Sequence, residues 1–147
     1  MGQRHSVQAA VERVLPIDPT RVWSLLGDPE RLGEWAGVRL VGYMGTELPR
    51  PGQSVFVRGG VLRRRSSRVE IESWIAGERI ACLIYAEPEP LRFEVSIHPE
   101  VGHDSIGTRV RLSQRVVAPA LLAGPVRWWA ERRLDGKMSR IVRAASP

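Results

Sequence analysis

The chain has 147 residues and a mass of 16.5 kDa, the size of one domain spanning 1–147. Hydrophobic residues make up 43% and charged residues 26%, which excludes a disordered chain, and no apolar run approaches the roughly 20 residues of a membrane span. The start, Met1 to Ser6, is polar with no signal-peptide core, and a single cysteine, Cys82, excludes an internal disulfide and a cysteine-rich zinc site, so a soluble cytoplasmic protein is expected.

The formal net charge is +6 and the pI about 10.8. Of 22 basic residues all are arginine except Lys137. Arginine grips phosphate well, but the same bias follows from a GC-rich, bacterial genome. Abundant Ala, Gly, Pro and Val fit the second reading. No helix-turn-helix or RNA-binding motif accompanies the arginines. No specific nucleic-acid partner is therefore expected.

Val7, Ala9, Val11 and Leu15 fall at every second place, a strand pattern interrupted by Arg13. Pro16 ends it. Asp18-Pro19 supplies an N-cap and a first-turn proline for a short helix carrying Val22, Trp23, Leu25 and Leu26. Gly27-Asp28-Pro29 stops that helix and opens a second short one through Leu32. Six strands then follow, over Val38–Met44, Ser54–Arg58, Ser66–Ile75, Arg79–Ala86, Leu91–His98 and Gly107–Val116. Short turn-rich connections between them predict an antiparallel meander. Pro119 opens a helical region running nearly to the end. Its stripe is Leu122, Val126, Ala130, Leu134, Met138, Ile141 and Ala145, with Gly136 as a weak spot and Lys137 intruding. A curved sheet must bury one face, and the long helix is the only large element available to cover it. The predicted class is α+β: an antiparallel sheet of about seven strands wrapped around a long C-terminal helix, with two short helices plugging one end.

Alternation assigns faces to the strands. Val69, Ile71, Ser73 and Ile75 share the inner face of their strand, opposite Arg68, Glu70, Glu72 and Trp74. Leu91, Phe93, Val95 and Ile97 oppose Arg92, Glu94, Ser96 and His98. Thr108, Val110, Leu112, Gln114 and Val116 oppose Arg109, Arg111, Ser113 and Arg115. The strand around Cys82 is apolar on both faces and its orientation is ambiguous. Mixed signs on the outer face predict cross-strand pairing of Glu70, Glu72 and Glu94 with Arg92, Arg109 and Arg111. The aliphatic inner face reads either as packed core or as an apolar cavity. One helix rarely fills so wide a cup, which favours the cavity.

The residues that could carry catalysis are dispersed. His98 falls on the outer face, His103 in a turn and His5 at the start, so neither a metal site nor a Ser-His-Asp arrangement is expected. Cys82 reads as a small buried hydrophobe. Gly59-Gly60 before Arg63-Arg64-Arg65 lacks the ending of a phosphate-binding loop and reads as a hairpin turn. Trp128 lies nearly opposite the helical stripe and Trp129 flanks it. Trp129 should therefore face the cavity, and Trp128 a mouth, a partner or a membrane surface.

The opening matches a known pattern. Val14-Leu15-Pro16-Ile17-Asp18-Pro19, Val22-Trp23-Ser24-Leu25-Leu26, then Asp28-Pro29-Glu30-Arg31-Leu32 and Trp35 resemble the start of the SRPBCC superfamily. That group holds START-like lipid-transfer domains, the birch-pollen-allergen fold and the polyketide cyclase/dehydrase branch. Arg68-Val69-Glu70-Ile71 and Glu78-Arg79-Ile80 resemble its mid-sheet pattern. The resemblance implies a helix-grip fold with a deep hydrophobic cavity and places Trp35 at its mouth. It implies either carriage of a hydrophobic ligand (a lipid, a polyketide or an aromatic compound) or, as the alternative, cyclase- or aromatase-like turnover of a bound polyketide chain. For turnover, Ser73, Gln114, Arg65 or Tyr85 would orient an enolate or polarise a carbonyl. The expected cavity lining is Trp35, Tyr43, Val69, Ile71, Ser73, Tyr85, Phe93, Val95, Val110, Leu112, Gln114, Val126, Trp129, Ala130 and Leu134. No cofactor and no metal is expected. The partners expected are a hydrophobic small molecule and, in a homodimer, a second copy of the chain; a monomer is equally expected. Any membrane contact would be peripheral.

Overall fold

Asp18 and Asp28 set the first turns after the opening strand. Asp18 accepts a hydrogen bond from the Thr20 amide at 2.8 Å and Asp28 from the Glu30 amide at 3.0 Å, each followed by a proline that needs no amide partner. In the computed structural model, which describes residues 3–46, 49–59, 62–85, 90–102 and 106–146 (side chains of 62–65 excepted), these caps start α1 (Pro19–Leu26) and a 3-10 turn (Pro29–Arg31). The turn leads into α2 (Leu32–Trp35). The side chains of Arg63, Arg64 and Arg65, together with Gly60, Ala86, Pro88, Glu89, His103 and Asp104, lie outside the described residues.

Seven strands form one antiparallel sheet. They are β1 (Arg4–Leu15), β2 (Val38–Tyr43), β3 (Ser54–Gly59), β4 (Leu62–Ile75), β5 (Arg79–Tyr85), β6 (Leu91–Val101) and β7 (Ile106–Pro119). The order across the sheet is β1-β7-β6-β5-β4-β3-β2. The six later strands are a meander, and β1 joins it on β7, so β1 and β2 are the two edges. The chain crosses between those edges through α1 and α2. α1 packs on β6 and β7, α2 packs on β2, and both touch the C-terminal helix α3 (Ala123–Ala145). Thr108 Oγ1 donates a 2.6 Å hydrogen bond to the Ile17 carbonyl and ties this crossing to β7.

β4 begins at Leu62 rather than Ser66, and the junction between β7 and the long helix also departs from the sequence reading. Pro119 ends β7 opposite Arg4 instead of opening the helix; a strand end tolerates the missing amide. A 3-10 turn (Ala120–Leu122) intervenes before α3. At Gly59, with φ +142°, a Cβ would lie 2.6 Å from the Gly37 carbonyl oxygen, so close approach of the α2–β2 junction requires glycine there.

The larger departure is a β-bulge. Pairing of β4 with β5 shifts between Ile71 and Ser73, leaving Glu72 as the extra residue. Alternation slips by one beyond it. Ser73 then pairs with Ala81 and turns outward, while Trp74 pairs with inward-facing Ile80. The expected faces of Ser73 and Trp74 are thus exchanged.

α3 packs on β1 and β7. Ala130, Leu134, Met138, Ile141 and Ala145 are buried there, whereas Leu122 is exposed and Val126 only half-buried at the helix start. No helix among the described residues is long and apolar enough to cross a membrane.

Leu134 is fully buried in this contact and Trp128 is 60% exposed. Leu134→Ala should cost about 2–5 kcal/mol in urea denaturation, and Trp128→Ala under about 1 kcal/mol. Equal large losses would put α3 in a different phase. Gly136 has ordinary helical geometry and no atom within 4 Å of an added Cβ. Gly136→Ala should therefore stabilise the fold by about 0.5–1 kcal/mol in the same assay.

Candidate functional site

Because α3 lies over the β1–β7 side, the concave face of the other strands is not filled. A cavity of about 1190 Å³ occupies that space. Its wall is built from alternate residues of five strands. These are Val38 and Leu40 from β2, Val55 and Val57 from β3, and Val69 and Ile71 from β4; Ile80, Cys82 and Ile84 come from β5, and Leu91, Phe93 and Val95 from β6. Trp74 joins them through the bulge and meets Trp23 edge-on at 6.0 Å between ring centroids. Leu26, Leu32 and Trp35 close one end. Trp35 is 3% exposed and lies 6.3 Å from the Phe93 ring. Its indole Nε1–H is buried with no hydrogen-bond partner.

The fifteen residues expected to line a cavity divide into three groups. Trp35, Val69, Ile71, Phe93, Val95, Gln114 and Trp129 line it. Val110, Leu112, Val126, Ala130 and Leu134 do not; Val126 lies half-buried at the start of α3, and the other four belong to the surfaces that α3 and the sheet press together, which leaves them no free space. Ser73, Tyr43 and Tyr85 are also outside it. The bulge turns Ser73 outward. Tyr43 is the last residue of edge strand β2 and 44% exposed, beyond the reach of the cavity. Tyr85 alternates with inward Ile84, so its hydroxyl donates to Glu70 Oε2 at 3.0 Å and its ring carries the Arg68 guanidinium at 4.0 Å.

The charged part of the wall was missed by alternation. Ser67 and Gln114 are the wall's uncharged polar side chains on the sheet. Its charged residues are Arg39, Arg58, Arg132, Arg133, Lys137 and Arg140, with no aspartate or glutamate among the lining residues. Four of these lie on α3. At 100° per residue, Trp129, Arg133, Lys137 and Arg140 occupy one flank of the buried stripe, and Lys137 borders it directly. Lys137 is half-buried, and its ammonium is pushed down to about 8, mainly by burial and further by Arg133 and Arg140. The Arg140 guanidinium reaches across the mouth, with Nη1 2.8 Å from where a Cβ on Gly37 would stand. Trp129 is 49% exposed, and Arg133 stacks over its ring at 4.8 Å. Cys82 is a buried free thiol, pushed up to about 12 by desolvation and hence neutral. Among the described residues no group of three or more His, Cys, Asp or Glu could hold a metal ion.

The outer face is built oppositely. Arg92 pairs with Glu72 at 3.4 Å and with Glu94 at 3.6 Å, and Arg79 with Glu94 at 3.9 Å. Arg109 pairs with Glu100 at 2.9 Å and Glu12 at 3.4 Å, not with the carboxylates of β4. His98 sits on this face, opposite Arg109.

The depressed Lys137 value gives a sign for stability against pH. Between about 8 and its ordinary value near 10.5, the unfolded chain binds a proton that the folded chain does not, so stability rises with pH across that window. Lys137→Met should accordingly raise the melting temperature at pH 7. The advantage should shrink as pH climbs from 8 to 10; a pH-independent difference would show that Lys137 is not titrating there.

No family model matches the sequence, and no curated protein matches it. Solved structures do. The chain is similar to the protein of unknown function SA2116 from Staphylococcus aureus, at a TM-score of 0.76 and 12% identity over 97% of this chain and 95% of that one. It is similar to DynU16 of the dynemicin biosynthetic locus, at a TM-score of 0.68 and 15% identity, over 92% of this chain and 46% of that one. Truncated norcoclaurine synthase from Thalictrum flavum is similar at a TM-score of 0.66 and 8% identity, covering 98% and 96%. At these identities the likeness concerns the fold alone: an antiparallel sheet wrapped around a long C-terminal helix, the helix-grip arrangement.

Proposed function

We propose that the protein binds a hydrophobic small molecule, for transport or sequestration, in the cavity between the sheet and α3. The observation that carries this reading is a space of about 1190 Å³ walled mainly by aliphatic and aromatic side chains. Ligand pockets commonly measure roughly 300–1,000 Å³ and combine an apolar wall with a few polar groups. A lipid, a polyketide or a polycyclic aromatic fits such a volume.

A second reading, turnover of a polyketide-like chain, is favoured by one observation. Lys137 is a half-buried amine at an apolar cavity with its proton affinity lowered, the setting in which lysines act as bases or nucleophiles. Of the polar groups expected to serve such chemistry, Gln114 lines the cavity, Ser73 and Tyr85 face outward, and the Arg65 side chain is outside the described residues. DynU16 comes from a biosynthetic locus and norcoclaurine synthase is named as a synthase, which suits this reading.

The neutral dye N-phenylnaphthylamine should fluoresce on binding, and long-chain or polycyclic compounds should displace it. Val57→Trp, which projects an indole into the cavity, should weaken dye binding by roughly tenfold while costing about 1–3 kcal/mol or less in stability. No dye binding in a folded protein would sink the binding reading. Native mass spectrometry of freshly purified protein separates the two readings: a retained, unaltered ligand supports carriage, and conversion of an added polyketide mimic supports turnover.

A further inference from the structure

Resting on that reading, we propose that the ligand is an anionic amphiphile, whose carboxylate or phosphate-ester head sits at the mouth among Arg133, Lys137 and Arg140 while its apolar body fills the cavity. The sign of the wall is the first argument. Every charged residue lining the cavity is a cation. On the outer face, arginines and glutamates interleave and pair within 4 Å, so the overall positive charge does not by itself produce an unpaired cluster. Among the described residues, none of the cavity's cations has a carboxylate partner.

The second argument is the arrangement on α3. Arg133 and Lys137 stand at i and i+4, and Lys137 and Arg140 at i and i+3, where like charges repel. Lys137 is moreover partly withdrawn from water. A folded protein keeps such an arrangement at a cost that a bound anion offsets. Arg133 also lies over the Trp129 ring at 4.8 Å, a cation–π contact that holds the guanidinium beside the mouth.

The third argument is the kind of polar group left unpaired. Trp35 lines the cavity, and its Nε1–H is a buried donor without a partner; the other such donors among the described residues, Arg58 Nε and Arg109 Nε, belong to side chains that alternation turns to the outer face. Orphaned donors call for an acceptor, and no orphaned acceptor accompanies them among the described residues. The wall thus carries no negative charge, its side-chain acceptors being the neutral oxygens of Ser67 and Gln114, and an anionic oxygen head supplies the missing charge. The apolar residues of β4, β5 and β6 beyond it suit a hydrocarbon or ring system rather than a small free anion.

The test displaces N-phenylnaphthylamine with dodecanoate, dodecyl phosphate and dodecanol, compounds with one chain and different heads. At pH 7 and physiological salt, about 0.15 M, the preferred anion should displace the dye at about a tenfold lower concentration than the alcohol. Whether dodecanoate or dodecyl phosphate is preferred tells which head the mouth takes. Lys137→Met and Arg140→Gln should each bring the anion-to-alcohol ratio towards one, while Arg92→Gln on the outer face leaves it unchanged. Equal displacement by all three compounds in the wild type would overturn the anionic head and leave hydrophobic binding standing. Failure of the dye to bind at all would overturn both. Binding to phosphatidylglycerol vesicles without dye displacement by either dodecyl anion would assign the cations to a membrane surface and overturn the proposal.

Discussion

The stripe Ala130, Leu134, Met138 and Ile141 holds α3 against β1 and β7, and that placement decides what the rest of the sheet can do. Seven strands at nearly 5 Å spacing make a surface several times wider than one helix. Once α3 is committed to one side, the inner faces of β2 to β6 have no second element to meet. α1 and α2 reach only the end of the cup, where Trp35 and Leu32 close it. The apolar residues that remain are therefore the wall of a space and not a core, although their sequence pattern is the same.

Electrostatics divides the molecule along the same line. On the solvent side of the sheet, glutamates and arginines alternate across strands and neutralise one another in pairs individually worth little. At the mouth of the cavity the cations of α3 face an apolar wall with no carboxylate among the lining residues. A protein of net charge +6 could spread that excess evenly. Here part of it is concentrated beside an apolar cavity, where a ligand would enter.

Irregularities in the sheet place several of the aromatic and polar groups. The bulge at Glu72 turns Trp74 into the cavity and against Trp23, joining the wall to α1. It also removes Ser73 from the interior. A shift between Leu40 and Gly42 in β2 pairs Tyr43 with inward Val55, yet Tyr43, the last residue of the edge strand, remains 44% exposed. Bulges of this kind re-aim side chains without altering the order of strands.

The order of elements, the antiparallel meander and the buried phase of α3 were legible in the sequence. Each rests on a local signal: Asp-Pro caps, alternation between turns, and spacings of three and four. The inward residues of β6 and β7 followed the same way, because those strands run without a shift in register. The faces of Ser73 and Trp74 did not, since one extra residue reverses alternation and leaves no mark in composition. The division of inner residues between packed core and cavity wall was beyond the sequence too. Leu112 on β7 and Val95 on β6 are paired partners, both buried, and only the lateral position of α3 puts Leu112 under the helix and Val95 at the border of the cavity. Lys137 shows the same limit. The sequence reveals an intruder beside an apolar stripe, but the tertiary structure alone sets it at the cavity mouth with Arg133 and Arg140, because facing strands 60 to 100 residues earlier supply the opposite wall.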